Sequence, residues 1–190
     1  MNFFTACQSS GVKSCDSFPR FIKVSFMKSG ACGKARPTMY AASSSWESSL
    51  NISPRKGNAA DLHFIKDSRI DFVCTHPPYA NIIKYSKEIE GDISLLGVDE
   101  FLVEMQKVAK EAFRVLKEGR MCAVMIGDVR KYGKVIPLGF RMMECFLQAG
   151  FVNKEIIIKE QHNCCSTDYW EKQNNNFLLL AHEYIFVFQK

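Results

Sequence analysis

The sequence lacks the patterns typical of zinc-binding proteins, membrane-spanning proteins and repeat proteins. It has no CxxC pair and no paired Cys and His spacing of the zinc-binding type, so we expect no metal site. No apolar run is long enough to cross a bilayer, and no internal repeat is present. What remains is a chain of 190 residues that is 47% hydrophobic and 24% charged, which is typical of one globular domain without a membrane partner.

Acidic residues are scarce near the N-terminus. Residues 1–56 hold eight Lys/Arg and two Asp/Glu, a net charge of +6, whereas the whole chain carries +5, so residues 57–190 carry −1. Residues 1–56 are also rich in Ser and Gly and show no sustained period, apart from one short strand predicted over Phe21–Phe26. We interpret this segment as a poorly specified or disordered leader, with an organelle transit peptide as the alternative. The folded domain is then residues 57–190.

The eight cysteines indicate a reducing compartment. Cys74, Cys122 and Cys145 lie in apolar stretches, where a free thiol behaves as a small hydrophobic side chain. We therefore expect an intracellular, cytoplasmic protein. Cys164-Cys165, close to His162, is interpreted as part of a polar loop and not as a metal site.

Residues 70–190 alternate between strands and helices. Apolar residues at helical spacing predict a helix with Asp99 as its N-cap and Lys117-Glu118-Gly119 at its end. Because the last two strands have no helix between them, the predicted fold class is α/β, with a mostly parallel sheet and an antiparallel C-terminal strand pair. The other predicted elements are strands over Ile70–Cys74, Met121–Ile126 and Glu155–Lys159, a helix over Ile136–Ala149 and a strand within Phe177–Phe188.

The most informative stretch is Thr75-His76-Pro77-Pro78-Tyr79, directly after the first of these strands. Neither proline can donate to a sheet, so the strand must stop and a stiff loop must follow. Open α/β sheets bind their ligands at the carboxyl ends of strands. The loop would present a polar side chain at His76, a carbonyl at Pro77 and an aromatic ring at Tyr79, a set suited to gripping a flat ring that bears an NH2 group. An ordinary loop after an apolar run is the alternative.

The run from Asp71 to Tyr79 resembles the catalytic motif of amino-methylating DNA methyltransferases, the N4-cytosine and N6-adenine enzymes, which is often written TSPPY in the N4 branch. The likeness covers about residues 57–190. It implies the second half of a Rossmann-like sheet of the S-adenosylmethionine-dependent methyltransferases, and so a partial or truncated member of the family. Further segments that follow the family's order are residues 80–86, 116–120, 126–128 and 176–190.

The resemblance also implies where the cofactor, S-adenosylmethionine, would bind. Asn58 lies where the family has the acid of a Gly-Asp-Ala string that touches the donor's adenine, and Asn58 and Thr75 are the cofactor-binding candidates. The family's FxGxG-like glycine loop is not identified, because the closest string, residues 30–33 (Gly-Ala-Cys-Gly), has no apolar strand before it. Without the family's earlier strands, strand 70–74 would be a bare edge. Residues 1–56, a second chain or a second protomer would then have to cover it.

The catalytic residues implied by the resemblance are His76, Pro77, Pro78 and Tyr79. The side chain at position 76 and the carbonyl of Pro77 would accept hydrogen bonds from the amine of a flipped base, and Tyr79 would stack on that base. The family has Ser, Asp or Asn at position 76. Because imidazole has an acceptor nitrogen only when it is neutral, activity is expected to fall below about pH 6.5.

The implied function is site-specific DNA methylation at cytosine N4 or adenine N6, as in restriction–modification, with DNA as the partner. A chain without the glycine loop is expected to bind the donor weakly or not at all by itself, and it is active alone only if it still binds the donor. Two alternatives stay open. One is a non-catalytic nucleic-acid-binding partner or remnant that uses the basic leader. The other is methylation of an amine on RNA or protein.

Overall fold

The computed structural model describes residues 2–7, 21–26, 52–80, 92–161 and 177–190, with the backbone alone for residues 2–7, 21–26 and 52–56. These residues form two sheets and two α-helices, and a short 3-10 helix lies at Ile93–Leu95. The helices are α1 (Val98–Val115) and α2 (Leu138–Gln148). The strands are β1 (Asn2–Cys7), β2 (Phe21–Phe26), β3 (Ile52–Lys56), β4 (Ile70–His76), β5 (Leu116–Ile126), β6 (Val129–Lys131), β7 (Lys134–Ile136), β8 (Val152–Glu160) and β9 (His182–Gln189).

The main sheet has seven strands in the order β3-β1-β2-β4-β5-β9-β8. β2, β4 and β5 pair in parallel, while β9 is antiparallel to both of its neighbours. β1 likewise opposes both of its neighbours, so five of the seven strands run in one direction. The predicted fold class, a mostly parallel α/β sheet with an antiparallel C-terminal pair, is confirmed.

The helices cover one side of the sheet through apolar faces. α1 buries Phe101, Met105 and Ala112 at helical spacing, as its sequence predicts, and it packs on α2. From α2, Phe146 stacks on Phe188 of β9 with a centroid distance of 5.0 Å. This core fixes β4, β5 and β9 side by side, which matters because the candidate site is built at the ends of these three strands.

The ends of α1 differ from the prediction. The N-cap is Gly97 and not Asp99, and the carboxylate of Glu100 accepts a hydrogen bond from the Gly97 N–H at 2.9 Å. The helix ends at Val115, and the predicted stop lies within β5. Gly119 does adopt the left-handed conformation, with φ +73°, but it uses that conformation inside the strand. The left-handed conformation of Gly119 was therefore predicted correctly, but the prediction that it ends α1 was wrong.

The segment 1–56 contains three strands where the sequence predicts one. Phe21–Phe26 is a strand, as predicted, and it pairs in parallel with β4 through residues 72–76. The edge of β4 is therefore covered from within the chain, by the segment 1–56 and not by a second chain. This predicted strand precedes the glycine string at residues 30–33. The string itself lies outside the described residues, and the domain division at residue 56 stays a prediction.

Among the described residues, neither α-helix has the length and the apolar composition that a membrane span needs.

A small second sheet, the hairpin β6–β7, was not predicted from the sequence. It occupies residues 129–136, between the end of β5 and the start of α2.

Candidate active site

The site is centred on the carboxyl end of β4. The strand continues two residues beyond the predicted Cys74, because Thr75 and His76 still pair with β2. Pro77 and Pro78 then end it, and both are buried. The stiff loop predicted from the sequence is therefore present, and Tyr79 follows it as a half-buried residue.

Tyr79 is fixed by its hydroxyl group. The hydroxyl donates to Oε1 of Glu183 at 2.6 Å and accepts from the backbone N–H of Gly127 at 2.9 Å. The ring stands edge-on to the imidazole of His76, with centroids 6.0 Å apart and an interplanar angle of 87°. Three neighbouring strands thus contribute to one constellation, since Gly127 follows β5 and Glu183 lies on β9.

Gly127 leaves little room for a side chain where it stands. A Cβ at this position would lie 3.1 Å from the hydroxyl oxygen of Tyr79 and 3.3 Å from the backbone oxygen of His182. A larger residue would require the Tyr79 hydroxyl or the backbone at His182 to shift by a few tenths of an ångström. The neighbouring Asp128 serves a structural purpose, because its carboxylate accepts from the N–H of Gly139 at 2.9 Å and from the hydroxyl of Tyr184 at 3.2 Å.

Glu183 is the residue of this site that sequence reasoning missed. Its side chain is only 7% exposed, and besides Tyr79 it accepts a hydrogen bond from Nζ of Lys159, its cross-strand neighbour on β8. Burial alone would raise the pKa of Glu183, but the hydrogen bonds from Lys159 and Tyr79 outweigh it and the pKa is lowered. The group is therefore a carboxylate at neutral pH. A single acid inside the apolar strand 182–189 was the available signal.

His76 faces this carboxylate. Its Nε2 lies 3.6 Å from Oε1 of Glu183 and is buried, although 41% of the side chain is exposed. The exposed surface therefore belongs to the rest of the imidazole side chain. The structure thus brings together His76, Tyr79 and the two prolines between them, as the motif predicts.

The two cofactor-binding candidates have different surroundings. Thr75 is 2% exposed, and its hydroxyl has no hydrogen-bond partner among the residues that the structure describes. Asn58 is exposed, and its Oδ1 accepts from the N–H of Ala60 at 3.0 Å within its own turn. That contact shapes the turn and does not extend to the end of β4.

In the described part of the chain, no group of three or more His, Cys, Asp or Glu side chains could hold a metal ion. Cys164-Cys165 and His162 lie outside the described residues. Among the described residues, Cys74, Cys122 and Cys145 form no disulfide, and burial raises the pKa of the Cys145 thiol.

The chain is similar in sequence to methyltransferases, the class of enzyme that the motif predicts. The chain is 28% identical over 152 residues to the type II methyltransferase M.MthZI of Methanothermobacter thermautotrophicus, which covers 70% of this chain and 43% of that protein. It is 26% identical over 126 residues to the orphan methyltransferase M.BamHII of Bacillus amyloliquefaciens, covering 66% of this chain and 40% of that one. The chain thus spans less than half the length of these two relatives.

Solved structures share the fold. A DNA modification methylase of Thermus thermophilus, crystallised with S-adenosyl-L-methionine, matches with a TM-score of 0.51 and 25% identity over 70% of this chain and 53% of that one. The PvuII cytosine-N4-specific DNA methyltransferase matches with a TM-score of 0.57 and 20% identity, covering 70% and 47%. The family profile described as DNA methylase, for N6 and N4 enzymes, matches residues 70–190. The chain with this Pro-Pro-Tyr loop therefore belongs to the N6/N4 DNA methylase family.

Proposed function

We propose that this chain takes part in S-adenosylmethionine-dependent methylation of an exocyclic amine of a DNA base, at cytosine N4 or adenine N6. The observation that supports this most strongly is the loop after β4, where Tyr79 is held by its hydroxyl beside His76 and behind two buried prolines. Its carbonyls, imidazole and aromatic ring occur together at the end of a central parallel strand. This is the position at which such sheets bind ligands.

The described residues fit a methyl donor at one point. The buried hydroxyl of Thr75, which lacks a partner among the described residues, would gain one from a bound ligand, and the exposed side chain of Asn58 would add a second contact. When bound, S-adenosylmethionine supplies an electrophilic methyl group. The holding of the donor by Thr75 and Asn58 is part of the proposal.

The chain's own residues would act on the base. An exocyclic amine is a weak nucleophile because its lone pair is conjugated with the ring. Groups that accept hydrogen bonds from its two N–H bonds localise the lone pair on nitrogen. We assign this acceptance to His76 and to the carbonyl of Pro77. Tyr79 would stack on the flipped base, which is worth about 1–3 kcal/mol. Pro78 keeps the loop stiff, so the acceptors are already positioned when the base arrives.

The test is methyl transfer from labelled S-adenosylmethionine to DNA, RNA and protein in parallel, followed by identification of the methylated nucleoside. We expect label in DNA as N4-methylcytosine or N6-methyladenine, and loss of label in the Tyr79→Ala variant. Label found only in RNA or only in protein would show that this molecule, and not DNA, is the substrate. If the 190-residue chain transfers no label to any of the three, catalysis by this chain alone is contradicted.

A second candidate is a non-catalytic nucleic-acid-binding partner. The net charge of +6 in residues 1–56 favours it, since Lys and Arg provide salt-dependent contacts with phosphate. DNA affinity that falls steeply with salt and is unchanged by Tyr79→Ala, without methyl transfer, would support this candidate. A cytoplasmic location is a further part of the proposal.

A further inference from the structure

The face that Glu183 presents to His76 has a consequence for the chemistry of the imidazole. Oε1 of Glu183 lies 3.6 Å from the buried Nε2 of His76. This separation is longer than a hydrogen bond, but active-site contacts are often long without substrate and shorten when it binds.

The carboxylate is held from the other sides. The hydroxyl of Tyr79 donates to Oε1 from the loop after β4, and Nζ of Lys159 donates to Oε2 from β8. These are the charged and titratable groups of the described residues that contact Glu183, apart from His76. Because both contacts favour the ionised form, Glu183 accepts hydrogen bonds and has no proton to donate.

We propose, on the basis of the proposed function, that Glu183 is a positioning residue that holds His76 as its Nε2–H tautomer. A neutral imidazole has one N–H and one acceptor nitrogen. When the Nε2–H is directed at Glu183, Nδ1 is the acceptor nitrogen. Nδ1 then accepts a hydrogen bond from the N–H of the target amine. The short polar residues that the family has at position 76 need no such partner, so Glu183 accounts for how a histidine can occupy that position.

His76 and Glu183 together can also accept the proton that the methylated amine must lose. If the amine nitrogen takes the methyl group from the donor, the new N–C bond forms as the S–C bond of the sulfonium breaks, and the electron pair of that bond stays on sulfur. The nitrogen then has four bonds and must lose a proton. The electron pair of the broken N–H bond stays on that nitrogen, and the proton moves to Nδ1 of His76. The resulting imidazolium forms an ion pair with the Glu183 carboxylate, so the positive charge is balanced within the site.

The first test needs no activity. The whole chain is labelled with 15N-histidine, and the tautomers of its four histidines are measured by NMR near pH 8, where an unperturbed imidazole is neutral. His76 is assigned by comparison with His76→Asn. We expect the Nε2–H tautomer in the wild-type chain and a mixture in Glu183→Gln. Glu155→Gln, the same change at an exposed position of β8, should leave the spectrum unchanged. An Nδ1–H tautomer in the wild type, or an unchanged spectrum in Glu183→Gln, would overturn the proposal.

The second test is a double-mutant cycle on methyl transfer. We expect Glu183→Gln to lower kcat on the order of 100-fold, the lower end of what a positioned proton acceptor contributes. It should also move the acid limb of the pH–rate profile to lower pH, since the imidazolium loses its counter-charge. In a His76→Asn background the same change should cost little, because asparagine needs no tautomer to be fixed.

Equal losses in both backgrounds would mean that Glu183 acts only on the structure, and would overturn the proposal. An inactive wild-type chain that shows the expected tautomer would instead contradict the proposed function and leave the His76–Glu183 pairing standing. The two failures can therefore be told apart.

Discussion

At the scale of single residues, Tyr79 combines two roles that can be separated by substitution. Its ring is the proposed stacking surface, while its hydroxyl ties the loop after β4 to the backbone of Gly127 and to Glu183. The hydroxyl bonds stabilise the folded chain whether or not a base is bound. The ring matters for activity only when one is.

We therefore predict different losses for two Tyr79 variants. Tyr79→Phe keeps the ring but leaves the buried N–H of Gly127 without its acceptor, which should lower the free energy of unfolding by about 1–3 kcal/mol in urea titrations. Tyr79→Ala also removes the stacking surface and should lower kcat/KM by a further factor of about 10 to 100. Tyr132→Phe is the control, because Tyr132 is 91% exposed. Equal activity in the Phe and Ala variants would argue against stacking.

Thr75 gives a second prediction at this scale. Its buried hydroxyl has no hydrogen-bond partner among the described residues, so Thr75→Val should raise the free energy of unfolding by about 1 kcal/mol without donor. Millimolar S-adenosylmethionine should then raise Tm less in this variant than in the wild type, whereas Thr75→Ser should behave like the wild type. Destabilisation by valine would show that the hydroxyl already has a partner in the free chain.

At the scale of elements, Arg114 joins α1 to the segment that precedes β4. Its guanidinium donates to the carbonyls of Leu62 and Ile65 at 3.0 and 2.8 Å, and it contacts the carboxylates of Glu111 and Asp67. Oε2 of Glu111 in turn accepts from the N–H of Leu62 at 2.7 Å. This network fixes the entry into β4, and with it the position of the motif at the other end of that strand.

Arg114→Met should lower the free energy of unfolding by about 2–3 kcal/mol, because two carbonyls and two carboxylates lose their donor together. The matched control is Arg141→Met. Arg141 forms an exposed ion pair with Asp99, so its loss should cost no more than about 1 kcal/mol. Similar midpoints for the two variants in urea would show that the Arg114 network contributes little.

The same network predicts a pH dependence. Hydrogen bonding from Arg114 lowers the pKa of Glu111, an effect only partly opposed by burial. Because the folded pKa is below the unfolded value of about 4.3, this contribution is complete above that pH and is lost as pH falls through the folded pKa. The difference in unfolding free energy between the wild type and Arg114→Met should therefore shrink below about pH 4. A constant difference down to pH 3 would contradict the assignment.

Elements whose signals are local were predictable from the sequence. The strand before the prolines, the strand 121–126 and the C-terminal pair are present because β-branched runs and proline stops act within a few residues. The end of α1 was misplaced because Leu116 pairs with Ile70 of β4 and so begins β5, which no local signal reveals. Glu183 was missed for the same reason: it meets His76 only through the sheet order β4-β5-β9.

At the scale of the whole molecule, the sheet is completed from both ends of the chain. β2 runs parallel to β4 on one side, and β9 closes the other side beyond β5. The chain nevertheless spans 43% and 40% of two curated methyltransferases. What this arrangement supplies for the methyl donor therefore decides what the chain can do alone.

Donor binding by the 190-residue chain is the last prediction. Thr75 and Asn58 are the only donor-holding residues that we can assign among the described ones. A family-type glycine loop is not identified in the sequence, and the glycine string 30–33 matches it poorly. We therefore expect isothermal titration with S-adenosylmethionine to give a Kd nearer about 1 mM than about 1 μM, a deficit of about 4 kcal/mol. Micromolar binding would contradict this. The Gly33→Val variant would then show whether the string after β2 is responsible, since a loop that lets backbone approach the donor cannot accept a branched side chain. Micromolar binding that survives Gly33→Val would place the donor on residues outside that string.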